Sequence, residues 1–282
     1  MHDPLQYEGK HVVVTGCSSG MGAETARILG ELGASVTGLD VKTGDTEVTT
    51  FHQVDLRDQD SIDATVAAID GPVDSVFSVA GLPGPPFSDL DTVLVNFVGP
   101  RHLIESLVPR MPSGSSAVCV ASNAGLGWER EIDDLLPVVS GGGFTQTKTW
   151  CEEHPARIAT GYTPSKKLLN AWVAWRAATL LDVGIRLNCS NPGPTDTAMM
   201  PAFEAYAGKE LIDAFIGPSK RRSTPVPQQP PLVLHRRRSA AHRRRLPRRH
   251  GHRPDHVNSG GRFSRWLARP SGASGPLKPR NS

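Results

Sequence analysis

Tyr162 and Lys166 are the residues whose types and spacing point most directly to chemistry, which would be proton transfer. Two residues four positions apart lie one turn apart on the same face of a helix. A free phenol, with a pKa of about 10, is a poor base at neutral pH, and a neighbouring ammonium favours the phenolate. Lowering this pKa to about 7 takes roughly 4 kcal/mol of differential interaction. We expect Lys166 to supply part of this energy, together with a second positive charge and a partly closed site.

Pro164 limits where the helix of these two residues can begin. Proline fits the first turn of a helix and not its interior, because it lacks an N–H and clashes with the preceding turn. The helix is therefore predicted over residues 162–181. This start places Tyr162 in the first turn, at the mouth of the site.

A second segment with chemical potential runs from Thr15 to Gly22 and joins a β-branched strand to a helix. Glycines there let backbone N–H groups and the helix N-terminus approach a pyrophosphate. Gly16 is expected to make the turn, Gly20 to allow the close approach, and Gly22 to let the helix pack on the strand. The alternative is a glycine-rich turn that binds nothing.

Asp40 is predicted to end the next strand, 18 residues after Gly22. A carboxylate at this position can accept hydrogen bonds from both hydroxyls of an adenosine ribose. A 2′-phosphate would meet like charge there, so the sequence favours NAD over NADP, and the nearby Lys42 weakens this preference without reversing it. Asp55 follows the third strand and is expected either to contact the adenine or to act as a turn residue.

Strands and helices alternate through the first 216 residues, with six β/α alternations. This order predicts an α/β fold with a doubly wound parallel sheet, the Rossmann fold, in a single domain. A long helix is predicted over residues 90–108, with a kink at Pro100. Residues 126–160 interrupt the alternation and are predicted to form a partly helical insertion over the carboxyl edge of the sheet.

The order of the motifs resembles the short-chain dehydrogenase/reductase family. Thr15-Gly16-x3-Gly20-x-Gly22 and Tyr162-x3-Lys166 match its cofactor and active-site motifs. Further similar segments are Ala80-Gly81 (with Ser78 and Val79 in place of the family's two asparagines), Val95–Gly99, Val120–Gly125, and Asn188-x3-Pro192-Gly193-x3-Thr197. Ser122 and Tyr162 are 40 residues apart, much farther than in typical members. This spacing is similar to the branch with bacterial 3α-hydroxysteroid dehydrogenase/carbonyl reductase and coniferyl-alcohol dehydrogenases.

The resemblance implies an NAD-dependent alcohol dehydrogenase or carbonyl reductase that works by hydride transfer and assigns roles to individual residues. Tyr162 would exchange a proton with the substrate oxygen, and Ser122 would hydrogen-bond that oxygen. Lys166 would also hold the nicotinamide ribose, and Asn96 would anchor a water that links Lys166 to solvent. Cofactor contacts are implied at Thr15, Gly16, Ser18, Ser19, Gly20, Met21, Gly22, Asp40, Asp55, Leu56, Ala80, Gly81, Lys166, Pro192, Gly193, Thr195 and Thr197.

The expected substrate wall is broad and apolar. It consists of Leu82, Pro83, Phe87, Leu126, Trp128, Met199, Met200 and Phe203, within residues 82–87, 126–160 and 199–215. An apolar alcohol or ketone fits such a wall, and the sequence does not choose between a steroid-like and an aromatic one.

Neither a metal site nor a membrane span is expected. His11, His52, His102 and His154 have no ligand spacing, and the four cysteines lack CxxC spacing, which favours a reduced, cytoplasmic setting. No apolar run reaches the roughly 18 residues of a membrane helix.

The net charge of +3 conceals two different segments. Residues 1–220 hold 15 Lys and Arg against 27 Asp and Glu, whereas residues 221–282 hold 16 against the single acid Asp255. The second segment is predicted to be a disordered tail. A frameshift product, a nucleic-acid-binding appendage and an inert tail are the three interpretations, of which we favour the frameshift and consider nucleic-acid binding unlikely. The family's last strand and its subunit contacts are not recognisable there, so the homo-oligomer typical of the family is in doubt.

Overall fold

The computed structural model describes residues 7–208 together with residues 210 and 212. The basic tail, residues 221–282, lies outside the described residues, as does Phe215 at the end of the expected substrate wall. The disorder of the tail and its three interpretations therefore stay predictions.

Six parallel strands form one sheet among the described residues. They are β1 (His11–Thr15), β2 (Ser35–Asp40), β3 (Thr50–Gln53), β4 (Ser75–Ser78), β5 (Ser116–Val120) and β6 (Arg186–Ser190). Their order is β3-β2-β1-β4-β5-β6, which confirms the predicted doubly wound α/β sheet. The direction of winding reverses between β1 and β4, and a crevice is expected at the carboxyl ends of these two strands.

Eight helices accompany this sheet within the described part of the chain. They are α1 (Gly20–Glu31), α2 (Gln59–Ala68), α3 (Asp89–Val93), α4 (Gly99–Leu107), α5 (Ile132–Val139), α6 (Phe144–Glu153), α7 (Tyr162–Asp182) and α8 (Met200–Ala207). The core is apolar on both faces of the sheet, since Val12, Val13, Val14 and Val76 are fully buried on the central strands. Among the described residues, Trp172 of α7 is the largest fully buried side chain.

The helix predicted over residues 90–108 is divided into three parts. A π-helical stretch, Leu94–Val98, separates α3 from α4. Pro100 lies in the first turn of α4, where it lacks the N–H that would otherwise bond the carbonyl four residues earlier, that of Asn96. The kink expected at Pro100 is thus a π-helical turn that starts before the proline and contains Asn96.

The insertion lies elsewhere than predicted. Its helices α5 and α6 contact α3, α7 and the π-helical stretch, so it packs on the helical layer rather than over the strand ends. Arg101 of α4 fixes it by donating to the carbonyl oxygens of Val138 at 3.2 Å and Gly141 at 2.8 Å. The physical reason is the apolar face of the two helices, which buries Val139, Phe144 and Cys151 against this layer.

Gly99 brings α4 into close contact with the chain that follows β3. A Cβ placed on Gly99 would lie 2.2 Å from the carbonyl oxygen of Leu56, which is far inside van der Waals contact. Gly30 of α1 is a matched contrast, because a Cβ there would meet nothing within 4 Å.

We expect opposite effects from alanine at these two glycines. Gly99→Ala should lower the free energy of unfolding by about 1–3 kcal/mol, because the backbone must move apart. Gly30→Ala should raise it by about 0.5–1 kcal/mol, because alanine is the better helix former in open space. Urea denaturation measures both, and an equal change in the two variants would contradict the described packing.

Candidate active site

The segment after β1 is folded tightly against the end of β4. The Oγ1 of Thr15 accepts hydrogen bonds from the backbone N–H of Val79 at 3.0 Å and of Ala80 at 3.1 Å. Gly16 has a φ of 73°, and a Cβ there would lie 2.8 Å from the Cα of Ala80. A Cβ on Gly22 would lie 2.0 Å from the carbonyl oxygen of Gly16. Both positions therefore require glycine, and the chain here presents backbone instead of side chains.

The N-terminus of α1 opens onto this segment. Ser19 precedes the helix and makes no side-chain capping hydrogen bond, and no acidic residue stands in the first turn. Helix α1 is 12 residues long, so its N-terminal N–H groups and its dipole favour an anion.

Asp40 joins the end of β2 to the glycine segment. Its carboxylate accepts from the backbone N–H of Ser18 at 3.0 Å and of Val41 at 2.7 Å. The Ser18 hydroxyl donates to the carbonyl oxygen of Lys42 at 2.5 Å, which ties the following loop to the same place. The structure thus holds the carboxylate beside the glycine segment, where the sequence analysis expects a ribose.

Asp55 pairs with Arg57, a neighbour two residues along the chain. Arg57 donates to its carboxylate from Nη2 at 2.6 Å and from Nε at 2.9 Å, and this pairing lowers the pKa of Asp55. Leu56 is buried against Gly99.

Tyr162, Lys166 and Ser122 come together at the carboxyl end of β5. Lys166 is 4% exposed and donates from Nζ to the carbonyl oxygen of Val120 at 3.0 Å. Its Nζ lies 5.4 Å from the centre of the Tyr162 ring. The Ser122 hydroxyl accepts from the backbone N–H of Ala124 and interacts with the phenol of Tyr162.

Burial is the main influence on the pKa of Tyr162 in the chain by itself. Burial raises it above the ordinary value of 10, and the hydrogen bond with Ser122 opposes this shift only in part. In the chain without cofactor the ammonium of Lys166 is directed at the Val120 carbonyl, and burial dominates the pKa of Tyr162. The lowered pKa of Tyr162 that the sequence predicts from Lys166 together with a second positive charge stays a prediction. The same burial lowers the pKa of Lys166 from 10.5 to about 8.

Asn96 clamps the loop after β4 with its side chain. Its Oδ1 accepts from the backbone N–H of Leu82 at 2.7 Å, and its Nδ2 donates to the Leu82 carbonyl at 3.0 Å and to Ser165 Oγ at 3.1 Å. Both amide protons are thereby used. The water that the resemblance places beside Asn96 stays a prediction, and it cannot accept from the side-chain amide, whose protons are used within the protein.

The segment after β6 reaches both the serine strand and the glycine segment. Asn123 donates from its backbone N–H to the carbonyl oxygen of Pro192 at 3.0 Å. Thr195 Oγ1 donates to the Gly193 carbonyl at 3.1 Å. A Cβ on Gly20 would lie 3.7 Å from Thr197, so Thr197 lies next to the start of α1.

The residues expected to line the substrate site have different environments. Phe203 of α8 packs edge-on against the Tyr162 ring, with 4.8 Å between the ring centres. Gly84 brings the loop of residues 82–87 beside Tyr162, since a Cβ there would lie 3.8 Å from the Tyr162 Cβ. Phe87 and Leu126 are exposed, whereas Trp128 and Met200 are buried.

Sequence reasoning missed three partners of the site. They are Ser165, which accepts from Asn96, the carbonyl of Val120, which accepts from Lys166, and Thr160, whose φ is 72°. Carbonyls and backbone angles leave no signal in residue types. Ser165 lies within the Tyr162-x3-Lys166 motif, but its hydrogen bond with Asn96 was not predicted.

We expect Lys166→Met to stabilise the fold. The pKa of Lys166 is lower in the folded chain, about 8, than its ordinary value of 10.5, so below pH 8 the buried ammonium carries its full desolvation cost. At pH 7 the free energy of unfolding of the variant should be higher than that of wild type by on the order of 2 kcal/mol. This figure already subtracts the stabilisation lost with the hydrogen bond to Val120. Because the unfolded wild-type chain binds the proton that the folded chain has lost, wild-type stability rises between pH 8 and 10.5 and the difference closes.

Lys42→Met is the matched control, because it removes the same charge from an exposed side chain. Urea denaturation at several pH values from 7 to 10.5 measures the difference. A Lys166→Met variant that is less stable than wild type throughout this range would contradict the described burial.

No group of three or more His, Cys, Asp or Glu residues could hold a metal ion within the part of the chain that the structure describes. No helix in that part is long and apolar enough to span a membrane.

Comparison with known proteins gives one consistent result. A family model described as short chain dehydrogenase matches residues 10–130. Coniferyl-alcohol dehydrogenase from Pseudomonas sp. is 32% identical over 211 residues, which cover 74% of this chain and 82% of that protein. The 3-alpha-hydroxysteroid dehydrogenase/carbonyl reductase of Comamonas testosteroni is 28% identical over 221 residues, 76% of this chain and 84% of the relative.

Solved structures share the fold. The 3-alpha-hydroxysteroid dehydrogenase from Pseudomonas sp. B-0831, complexed with NADH, has a TM-score of 0.64 at 24% identity and covers 77% of this chain and 85% of that one. Levodione reductase has a TM-score of 0.59 at 23% identity, with 78% and 87% of the two chains covered. The motifs, the sheet order and the 32% identical relative together establish that this chain belongs to the short-chain dehydrogenase/reductase family.

Proposed function

We propose that the chain is an NAD-dependent oxidoreductase that interconverts an apolar alcohol and its carbonyl compound. The observation that carries the proposal is the cluster at the end of β5, where a buried ammonium lies under a phenol that also contacts a serine hydroxyl. These are the groups that a proton transfer to or from a substrate oxygen needs. The names of two relatives, a coniferyl-alcohol and a 3-alpha-hydroxysteroid dehydrogenase, support an alcohol as the substrate.

The residues around the glycine segment fit a dinucleotide. Cβ atoms on Gly16 and Gly22 would collide with backbone, so this turn keeps an open backbone surface in front of the α1 N-terminus, where a pyrophosphate would bind. Asp40 would bind the adenosine ribose, and Gly81, Gly193, Thr195 and Thr197 would hold the nicotinamide half. When bound, NAD would supply the hydride acceptor of the oxidation, and NADH the donor of the reverse reaction.

Three side chains would carry the proton. Tyr162 would accept the hydroxyl proton of the alcohol through its phenolate oxygen, or donate it in the reverse direction. Ser122 would hydrogen-bond the same substrate oxygen, for which its hydroxyl must turn away from Asn123 Oδ1, its acceptor at 3.2 Å. The Lys166 ammonium, 5.4 Å from the centre of the Tyr162 ring, would stabilise the phenolate by its positive charge.

The raised pKa of Tyr162 in the chain alone has a consequence for the order of events. Burial keeps the phenol protonated, so positive charge must enter the site before Tyr162 can act as a base at neutral pH. The Lys166 pKa of about 8 keeps most of the ammonium charged at pH 7 and little of it above pH 9. The account therefore requires NAD to bind before the alcohol loses its proton.

An apolar substrate fits the surroundings of Tyr162. Phe203 covers the ring edge-on and the exposed Phe87 lies in the neighbouring loop. These aromatic faces favour a flat apolar alcohol, aromatic or steroid-like. Phe203 must move from Tyr162 to admit it.

We expect Tyr162→Phe to lose turnover while it still binds NADH. Coniferyl alcohol and a 3α-hydroxysteroid serve as test substrates, and turnover should fall by about 10²–10⁴-fold because the proton carrier is missing. NADH binding, followed by fluorescence titration, should keep its Kd.

Tyr7→Phe is the control, since Tyr7 packs against Phe77 and takes no part in the cluster. Full turnover in Tyr162→Phe with either substrate would refute the catalytic assignment.

We expect Asp40→Ser to shift the cofactor preference toward NADP. Removing the carboxylate relieves its repulsion of a 2′-phosphate, so the ratio of kcat/KM for NADP to that for NAD should rise at least about tenfold, or 1.4 kcal/mol. Asp45→Ser removes the same charge from an exposed position in the following loop and should leave the ratio unchanged. An equal shift in both variants would show that Asp40 has no specific role.

A further inference from the structure

Cys119 and Cys189 are two thiols that the proposed mechanism does not use. Cys119 lies on β5 and Cys189 on β6, and they are direct partners in the register of these neighbouring parallel strands. Both are free thiols. Since partners in register point to the same face of a sheet, the two side chains lie side by side.

The spacing of the strands suits a bond between these thiols. Neighbouring strands lie about 4.8 Å apart, and the Cα atoms of a disulfide are usually about 4.4–6.8 Å apart. The Cβ atoms of a disulfide are closer, about 3.8 Å on average, so the bond would draw the two strands slightly together at this point. The other two cysteines, Cys17 and Cys151, lie on a loop and on α6 and share no strand pairing.

The two thiols differ in access. Cys119 is fully buried, whereas Cys189 is partly exposed on β6, an edge strand of the described sheet. An oxidant from solvent therefore meets Cys189 first and leaves Cys119 as the thiol that can react next. A second thiol beside the first can resolve a sulfenic acid as a disulfide.

We propose that Cys119 and Cys189 form an oxidation site, at which hydrogen peroxide or an organic hydroperoxide converts the two thiols into a reversible disulfide. In the first step the Cys189 sulfur attacks one peroxide oxygen, the O–O bond breaks, and the products are a sulfenic acid and water or an alcohol. In the second step the Cys119 sulfur attacks the sulfenic sulfur, the S–S bond forms, and water leaves. The protein loses two hydrogen atoms and the peroxide is reduced.

The electrostatic surroundings make the first step slow at neutral pH. Burial raises the pKa of Cys189 to about 11, while the backbone N–H of Ala121 and the Lys166 ammonium oppose this shift. Cys119 is the other titratable group beside it. Because the thiolate is the nucleophile, oxidation should accelerate as the pH rises.

The position of the pair connects it with the active site. Cys119 is three residues before Ser122, and Cys189 is three residues before Pro192. Lys166 reaches the same place, since its Nζ bonds the carbonyl of Val120. A disulfide that draws β5 and β6 together would displace Ser122 relative to the segment after β6. A displacement of this kind, of about 1 Å, can reduce turnover 10²-fold.

The experiment treats the full chain with hydrogen peroxide at pH 7 and pH 9, blocks the remaining thiols with N-ethylmaleimide, and maps the peptides by mass spectrometry. We expect a Cys119–Cys189 linked peptide, formed faster at pH 9, and its disappearance after dithiothreitol. In Cys189→Ser we expect no linked peptide, and Cys119 should carry N-ethylmaleimide. Cys151→Ser is the matched control and should form the link like wild type. Two results would overturn the proposal. In one, Cys119 and Cys189 are both unlinked and fully alkylated after peroxide treatment. In the other, Cys189 is oxidised to a sulfinic acid and no linked peptide forms.

Turnover provides the second readout and rests on the proposed function. It should fall on the order of tenfold or more as the linked peptide accumulates, and return with dithiothreitol. Unchanged turnover of the linked chain would overturn the connection with the active site. The peptide map needs no substrate and therefore tests the oxidation site independently of turnover. If the untreated chain shows no turnover at all, this result counts against the proposed function but not against the oxidation site.

Discussion

The burial of the Lys166 ammonium is the constraint on which the rest of the site depends. A charge out of water is unfavourable unless it is paired, and the described partner here is the carbonyl of Val120, a neutral dipole. The fold stabilises this arrangement with the interior of α7, whose Leu168, Leu169 and Trp172 are fully or nearly fully buried. The cost of holding the charge is thus offset by packing that takes no part in chemistry.

The surrounding backbone is shaped to hold Tyr162 over this charge. Thr160 has a φ of 72°, which is uncommon for a β-branched residue, and Gly161 follows with a φ of 57°. A Cβ on Gly161 would lie 2.8 Å from the Thr92 side chain, so the turn into α7 fits closely against α3. On the other side, Asn96 uses its whole side chain to hold Leu82 and Ser165. Strain and buried polar groups of this kind concentrate at functional sites.

Sequence reasoning predicted the features that follow from local rules. Alternating strands and helices gave the sheet, and Pro164 placed the start of α7 at Tyr162, where the structure has it. Features set by tertiary contacts were not predictable in the same way. The insertion was expected over the strand ends and packs instead on the helices, because its composition shows an apolar face but not the surface that this face covers.

The pKa of Tyr162 shows the same limit at the level of one group. The spacing of Tyr162 and Lys166 gave the sign of their interaction, but the larger influence, burial, depends on what the whole fold packs around the phenol. The direction of the Lys166 amine, toward Val120, depends equally on the strand beneath it. For this reason the residue types of the site were accessible from the sequence and their electrostatics were not.

The central claim is that positive charge must enter the site before Tyr162 can act as a base. Carbon-13 NMR of ring-labelled tyrosine measures this pKa directly, with Tyr162→Phe used to assign the resonance among the three tyrosines. The account predicts that Tyr162 titrates above 10 in the chain alone and well below 10 with saturating NAD+. A pKa that stays above 10 with NAD+ bound would contradict it.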